Sequence, residues 1–164
     1  MDLDAFKKNG FVSAEFPHKE CLAELQALIK SQFPCPPVEW HLQPNVSNDQ
    51  HVAQVKKAVD SLVASGLVQK LIAANKEVFI PLTGEDLDIQ SAPHLRVTRP
   101  EKEGDMVDWH RDSFYGSTPW ELNIWFPVFP LSPGAGLRVL PGSHAIPSTP
   151  QEAQDQDEFR KSVA

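Results

Sequence analysis

The residues of this chain with the clearest chemical potential are His110 and Asp112, in the stretch DWHRDSF at 108–114. Side chains at positions i and i+2 of a strand project from the same face, so this imidazole and carboxylate can take two neighbouring positions on one metal ion. One carboxylate and two imidazoles on one octahedral face leave three positions open, the arrangement of non-heme iron(II) oxygenases. An H-x-D pair also arises by chance, so its surroundings in the sequence have to support it.

Apolar residues in the first half of the chain have the spacing of helices. These helices would pack behind the segment that carries His110 and Asp112. One set recurs at three- and four-residue intervals within 17–33 and predicts one helix face: Leu22, Leu25, Leu28, Ile29 and Phe33. A second set predicts a helix that begins at Asn48 or Asp49 and ends at Gly66: Val52, Val55, Val59, Leu62 and Val63. Residues 67–74 predict a short third helix or a continuation.

After residue 76 the apolar period changes to two, which is typical of strands. The alternating segments are HLRVTRP (94–100), PWELNIWFPV (119–128) and GLRVL (136–140). Helices followed by strands favour an α+β fold, in which an antiparallel sheet or barrel from 76–140 is covered by helices, over alternating βαβ units.

Composition narrows the class of protein. The 164 residues allow one domain, and 15 basic against 22 acidic residues, net −7, argue against a nucleic-acid surface. Cys21 and Cys35 lack C-x-x-C spacing and indicate ordinary reduced thiols. The start MDLDAFKKNGF is unlike a signal peptide, and no apolar run reaches the roughly 18 residues of a membrane span. We therefore expect a cytoplasmic protein without a membrane or nucleic-acid partner.

The runs HLRVTRPEKEGDMVDWHRDSFYG and ELNIWFPVFPLSPGAGLRVLPGSH resemble the phytanoyl-CoA dioxygenase family. The shared features are helices before the sheet, an H-x-D after a loop, a strand with polar and aromatic residues on its inner face, and a strand that ends in PGSH. The pairing of RVTR with WHRD is also similar to ectoine hydroxylase, a member of that family. The resemblance extends from Phe6 to about Pro147.

This resemblance implies a double-stranded β-helix, a jelly-roll or cupin-like barrel with N-terminal helices packed on the sheet. It also implies Fe(II) and 2-oxoglutarate as cofactors and O2 as the oxidant that hydroxylates a small organic substrate. His110 and Asp112 match the first two iron ligands, and retention of Asp112 favours hydroxylation over halogenation. Residue by residue, Thr98 matches a position that contacts 2-oxoglutarate, and Asn123 and Trp125 match a strand that lines the cofactor pocket.

Three further residues are expected on the substrate side: Arg96, Ser113 and Phe114. Other interpretations stay open for two of the residues above. Trp125 is equally compatible with a plain core position, and Arg96 with a surface ion pair. The substrate itself is not indicated, because loops around the barrel mouth determine it.

The family's third iron ligand is a histidine well after PGSH, followed by an arginine that binds the far carboxylate of 2-oxoglutarate. His144 lies in PGSH itself, which is a structural turn in the family, and the chain has no later histidine. Arg160 is the only later arginine and lies in a polar segment, so it is a poor match. We therefore expect an incomplete barrel.

Three explanations for the absent third ligand and closing strands are open: a fragment of a longer enzyme, a complete but degenerate protein, or a barrel that a partner chain closes. A homo-oligomer is likewise left open. The sequence favours the fragment. A non-catalytic, cupin-like binding or interaction module is the alternative. In either case 1–147 form the oxygenase-like part, and 148–164 are a polar tail or the start of an insertion.

Overall fold

The computed structural model describes residues 1–100, 102, 105, 107, 109–112 and 121–147. Within these residues there are five α-helices: α1 (Leu3–Asn9), α2 (Glu20–Gln32), α3 (Asn48–Ser65), α4 (Leu67–Ala74) and α5 (Lys76–Thr83). Two 3-10 helices, Pro37–Leu42 and Ser143–Ala145, accompany them. The chain forms two compact units. Of the described residues, the helical unit contains 14–100, 102, 105 and 126–136, and the motif unit contains 2–13, 107, 109–112, 121–125 and 137–147.

The ends of α3 follow from its capping residues. The Ser47 side chain accepts a hydrogen bond from the Gln50 backbone N–H, and the Gln50 side chain accepts one from the Ser47 N–H. This capping box satisfies two N–H groups that the first helical turn leaves free. Gly66 ends the helix in the left-handed conformation, with φ of +62°. The prediction of a helix that ends at Gly66 is confirmed, and its N-cap is Ser47 instead of Asn48 or Asp49.

The core of the helical unit lies where α2, α3 and α4 pack on one another. Its buried apolar members include Leu25, Ile29, Phe33, Trp40, Ala58, Leu62 and Leu67. Burial of a leucine or isoleucine of this kind stabilises the fold by roughly 1.5–3 kcal/mol. The helices over 17–33 and 49–74 are therefore confirmed as the source of the core.

The buried face of α3 is not the predicted valine stripe. His51, Ala58 and Leu62 are buried, whereas Val52 is 63% exposed and Val63 is 43% exposed. Leu62 was part of the prediction and is buried, whereas His51 and Ala58 lie one residue before Val52 and Val59, so the buried face is shifted away from the valines. The valines lie at the edge of the core.

The prediction of a double-stranded β-helix, whether described as jelly-roll or cupin-like, is wrong. Residues 76–83 form the helix α5, and none of the described residues belongs to a strand. Leu95 and Val97 nevertheless pack against the helical core, while Arg96 and Thr98 are exposed. The two-residue period therefore predicted correctly which side chains of residues 95–98 face the core, although this segment is not a strand. A sheet also needs a second extended segment in register, and the described residues provide none.

Helix α5 is attached to the rest of the helical unit by a buried amide and an aromatic group. Asn75, 1% exposed, accepts a hydrogen bond from the His18 N–H and donates to the carbonyls of His18 and Leu71. Phe79 is buried edge-to-face against Phe16, with ring centroids 6.0 Å apart. These contacts hold a helix in a segment whose sequence predicted the start of a sheet.

In the motif unit, α1 packs against the turn PGSH. The Gly142 N–H donates to the Asn9 carbonyl at 2.8 Å, and His144 Nε2 lies 3.0 Å from the Lys7 carbonyl oxygen. Both carbonyls belong to the last turn of α1, where carbonyl groups have no backbone N–H partner within the helix. None of the helices in the described part of the chain is long and apolar enough to cross a membrane.

Candidate functional site

The side chains of His110 and Asp112 meet in the motif unit. His110 Nε2 lies 3.3 Å from Asp112 Oδ1. The His110 side chain is 26% exposed and the Asp112 side chain is 55% exposed. The predicted pairing is present, but the two residues lie on an open surface and not on a strand inside a barrel. The expectation of an inward-facing strand pair is therefore wrong in its setting.

Asn123 contacts the same carboxylate from a segment eleven residues further along the chain. Its Nδ2 donates a hydrogen bond of 2.5 Å to Asp112 Oδ2. The two oxygens of Asp112 consequently face different partners, since Oδ1 faces the imidazole and Oδ2 faces the amide. An ionised carboxylate with two such neighbours is held in one orientation.

Trp109, which precedes His110 in the sequence, makes a cation–π contact with Arg138. The Arg138 guanidinium carbon lies 5.5 Å from the centroid of the Trp109 ring, a cation–π contact. Trp109 itself is 65% exposed. Neither Trp109 nor Arg138 is among the predicted site residues.

The other predicted site residues are distributed over both units. Trp125 is exposed in the motif unit, while Arg96 and Thr98 lie in the helical unit. Ser113 and Phe114 lie outside the described residues. Of the predicted ligands and cofactor contacts, the structure thus brings together three, His110, Asp112 and Asn123.

Arg96 and Thr98 line a surface groove of about 480 Å³ in the helical unit. Its other wall is α3, and the apolar lining consists of Val52, Val55, Val59, Leu95 and Val97. Val52, Val55 and Val59 belong to the predicted stripe of α3 and are not part of the buried core.

Arg99, Asp105 and His51 form a buried polar cluster near this groove, and none of them is among the predicted site residues. Arg99, 8% exposed, donates from Nε and Nη2 to the Asp105 carboxylate at 2.8 Å, and from Nη2 to Asn48 Oδ1 at 3.1 Å. His51 Nε2 lies 3.7 Å from Asp105 Oδ2. The alternation that turns Leu95 and Val97 inward also predicts that Arg99 is buried, because it lies two residues further along. A buried guanidinium requires an acidic partner, so the sequence could have indicated this cluster.

The charges of this cluster change the pKa values of its members. Hydrogen bonds from Arg99 lower the pKa of Asp105 from 3.8 to about 2. Burial lowers the pKa of His51, the Arg99 charge lowers it further, and Asp105 opposes both. The carboxylate and guanidinium are thus an ion pair at neutral pH, and the imidazole beside them is neutral.

The donor set in the motif unit fits two positions of a metal site. Two cis ligands at roughly 2.1 Å from an octahedral ion are about 3 Å apart, close to the separation of His110 Nε2 and Asp112 Oδ1. Among the described residues, no group of three His, Cys, Asp or Glu side chains is placed to hold a metal ion. His144 contacts the Lys7 carbonyl of α1.

No family model, curated protein or solved structure matches this chain.

Proposed function

We propose that the chain carries part of the metal site of an Fe(II)- and 2-oxoglutarate-dependent dioxygenase that hydroxylates a small organic substrate in the cytoplasm. The observation that supports this best is the 3.3 Å approach of His110 Nε2 to Asp112 Oδ1. The resemblance of WHRD and LRVLPGSH to the phytanoyl-CoA dioxygenase family supports the same chemistry. Together they favour a redox metal site over an isolated surface ion pair.

In this proposal each residue has a stated task. His110 supplies a neutral imidazole nitrogen, and Asp112 supplies a negative oxygen that offsets part of the metal's charge. Iron bound there supplies the O2 chemistry that couples oxidation of 2-oxoglutarate to hydroxylation. Asn123 and Trp125, which belong to the same unit as the pair, are proposed for the cofactor side, and Ser113 and Phe114, which follow the pair in sequence, for the substrate.

Two protein ligands hold a divalent ion weakly, because water competes for the remaining positions. A third imidazole and a cation for 2-oxoglutarate have to come from outside the described residues or from a partner subunit. We therefore expect the 164-residue chain to bind iron weakly and to release little succinate from 2-oxoglutarate. Addition of the missing ligands should restore turnover.

The proposal is tested by anaerobic titration of the chain with Fe(II) and by succinate release with and without the metal. His110→Ala and Asp112→Ala should each reduce Fe(II) affinity at least about 10-fold. His41→Ala, which removes an exposed imidazole of the helical unit, is the matched control and should leave affinity unchanged. Equal Fe(II) binding by the unaltered chain and the two site variants would overturn the proposal.

The second candidate is a non-catalytic binding or interaction module. It is favoured by the apolar surface that the motif unit exposes, which includes Trp109, Leu137 and Leu140. Where such groups form one contiguous patch, they mark interaction sites in many proteins. A chain that binds no Fe(II) but associates with a partner through this surface would support the module over the enzyme.

A further inference from the structure

We infer that Asn123 is a positioning residue of the metal pair, which holds Oδ2 of Asp112 so that Oδ1 alone is presented to a metal beside His110. This inference rests on the proposed function and assigns to Asn123 a task other than direct contact with the cofactor. It follows from the division of the two Asp112 oxygens between two neighbours.

The orientation of the Asn123 amide follows from chemistry. An ionised carboxylate only accepts hydrogen bonds, so the amide presents its NH₂ group, and not its carbonyl, to Oδ2. The donor is Nδ2 of Asn123 and the acceptor is Oδ2 of Asp112. This contact engages Oδ2 with Asn123, while Oδ1 lies 3.3 Å from Nε2 of His110.

This division of the two oxygens affects which metal the pair accepts. Ca²⁺ takes six to eight oxygens and often both oxygens of one carboxylate. First-row transition ions accept one imidazole nitrogen and one carboxylate oxygen in neighbouring positions. A carboxylate that offers one oxygen beside an imidazole therefore favours Fe(II), Mn(II) or Co(II) over Ca²⁺. Asn123 contributes to this selectivity without touching the ion.

The experiment uses the full 164-residue chain with Co(II) as the probe, because its visible absorption reports coordination without activity. Co(II) and Ca²⁺ affinities are measured by calorimetry for the unaltered chain and for Asn123→Leu, which keeps the shape of asparagine but has no donor. Asn123→Gln keeps an amide donor, and Glu121→Gln is the control in the same exposed segment.

We expect Asn123→Leu to weaken Co(II) binding about 10-fold, the lower end of the usual effect of a group that orients a metal ligand. Its Co(II) spectrum should change, and its preference for Co(II) over Ca²⁺ should fall. Asn123→Gln should recover part of the affinity, and Glu121→Gln should behave as the unaltered chain.

The outcomes separate this inference from the proposed function. If His110→Ala and Asp112→Ala abolish Co(II) binding while Asn123→Leu changes neither affinity, spectrum nor selectivity, the role of Asn123 is refuted and the metal pair stands. If the unaltered chain binds no Co(II), both are refuted. In the metal-free chain, loss of protection of the Asn123 side-chain amide from hydrogen exchange in Asp112→Ala would support the contact itself, and unchanged protection would count against it.

Discussion

Trp40 donates its indole N–H to Nδ1 of His51 at 2.9 Å in the interior of the helical unit. An indole N–H is only a donor, so Nδ1 accepts and the proton of the neutral imidazole lies on Nε2, the atom nearest Asp105. A second proton on His51 would have to go on Nδ1, where it would oppose the Trp40 N–H. The contact between these two residues thus makes the helical unit sensitive to acid.

This contact predicts that stability falls as pH falls below about 6.5, the ordinary histidine pKa. The folded-state pKa of His51 is lowered, so the unfolded chain takes up the proton first, and stability that is complete above the unfolded pKa is lost as pH falls through the folded one. Urea unfolding between pH 7.5 and 5 measures this slope. His51→Asn, whose carbonyl can still accept from Trp40, should reduce the slope, whereas His41→Asn should retain it.

A second prediction concerns the buried ion pair of Arg99 and Asp105. Asp105→Ala should destabilise the fold by about 3–5 kcal/mol, because it leaves the guanidinium buried without its counter-charge. The exposed pair Lys56–Asp60, 2.9 Å apart against 2.8 Å for Arg99–Asp105, is the matched control, and Asp60→Ala should cost about 0.5 kcal/mol or less. Equal losses of unfolding free energy for Asp105→Ala and Asp60→Ala in chemical denaturation would contradict this prediction.

The same pair predicts a separate transition in strong acid. The pKa of Asp105 is lowered to about 2 in the folded chain, so its contribution is complete above the ordinary value of 3.8 and is lost as pH falls toward 2. Circular dichroism of the chain at pH 4, 3 and 2 should show the loss. Asp105→Asn should be less stable than the unaltered chain at pH 7. It should also show no transition between pH 4 and 2.

A fourth prediction tests the packing of His144 on α1. Gly10 has φ of +80°, and a Cβ added there would lie 2.5 Å from Nδ1 of His144. Gly10→Ala should therefore cost more than the roughly 1–2 kcal/mol of left-handed strain alone. Gly66→Ala provides that reference, since Gly66 has φ of +62° and open space around it. In a double-mutant cycle, His144→Ala should recover the excess cost, and additivity of the two changes would refute the contact.

A fifth prediction compares apolar residues of the helices. Leu71 is fully buried, and Leu71→Ala should cost about 2–5 kcal/mol through lost burial and a residual cavity. Val52 belongs to the predicted apolar stripe of α3 but is 63% exposed, so Val52→Ala should cost less than about 0.5 kcal/mol. Similar losses for both would mean that the valine stripe is buried after all.

The sequence by itself determined the helices of the first half. Periodic apolar residues and the left-handed Gly66 act over a few residues, so local geometry alone expresses them. The alternation of Leu95, Arg96, Val97 and Thr98 belongs to the same class, because it sets which side chains are buried whether or not a sheet forms.

Tertiary structure decided everything that needed a second segment of chain. A ladder depends on a neighbouring strand in register, so the extended residues 94–98 rest on helices instead of joining a sheet. Likewise, α3 turned His51 inward, where Trp40 donates to its Nδ1 and the Asp105 carboxylate lies 3.7 Å from its Nε2, and left Val52 outside. Asn123 reached Asp112 across eleven residues for the same reason: which groups meet depends on packing, which local patterns do not encode.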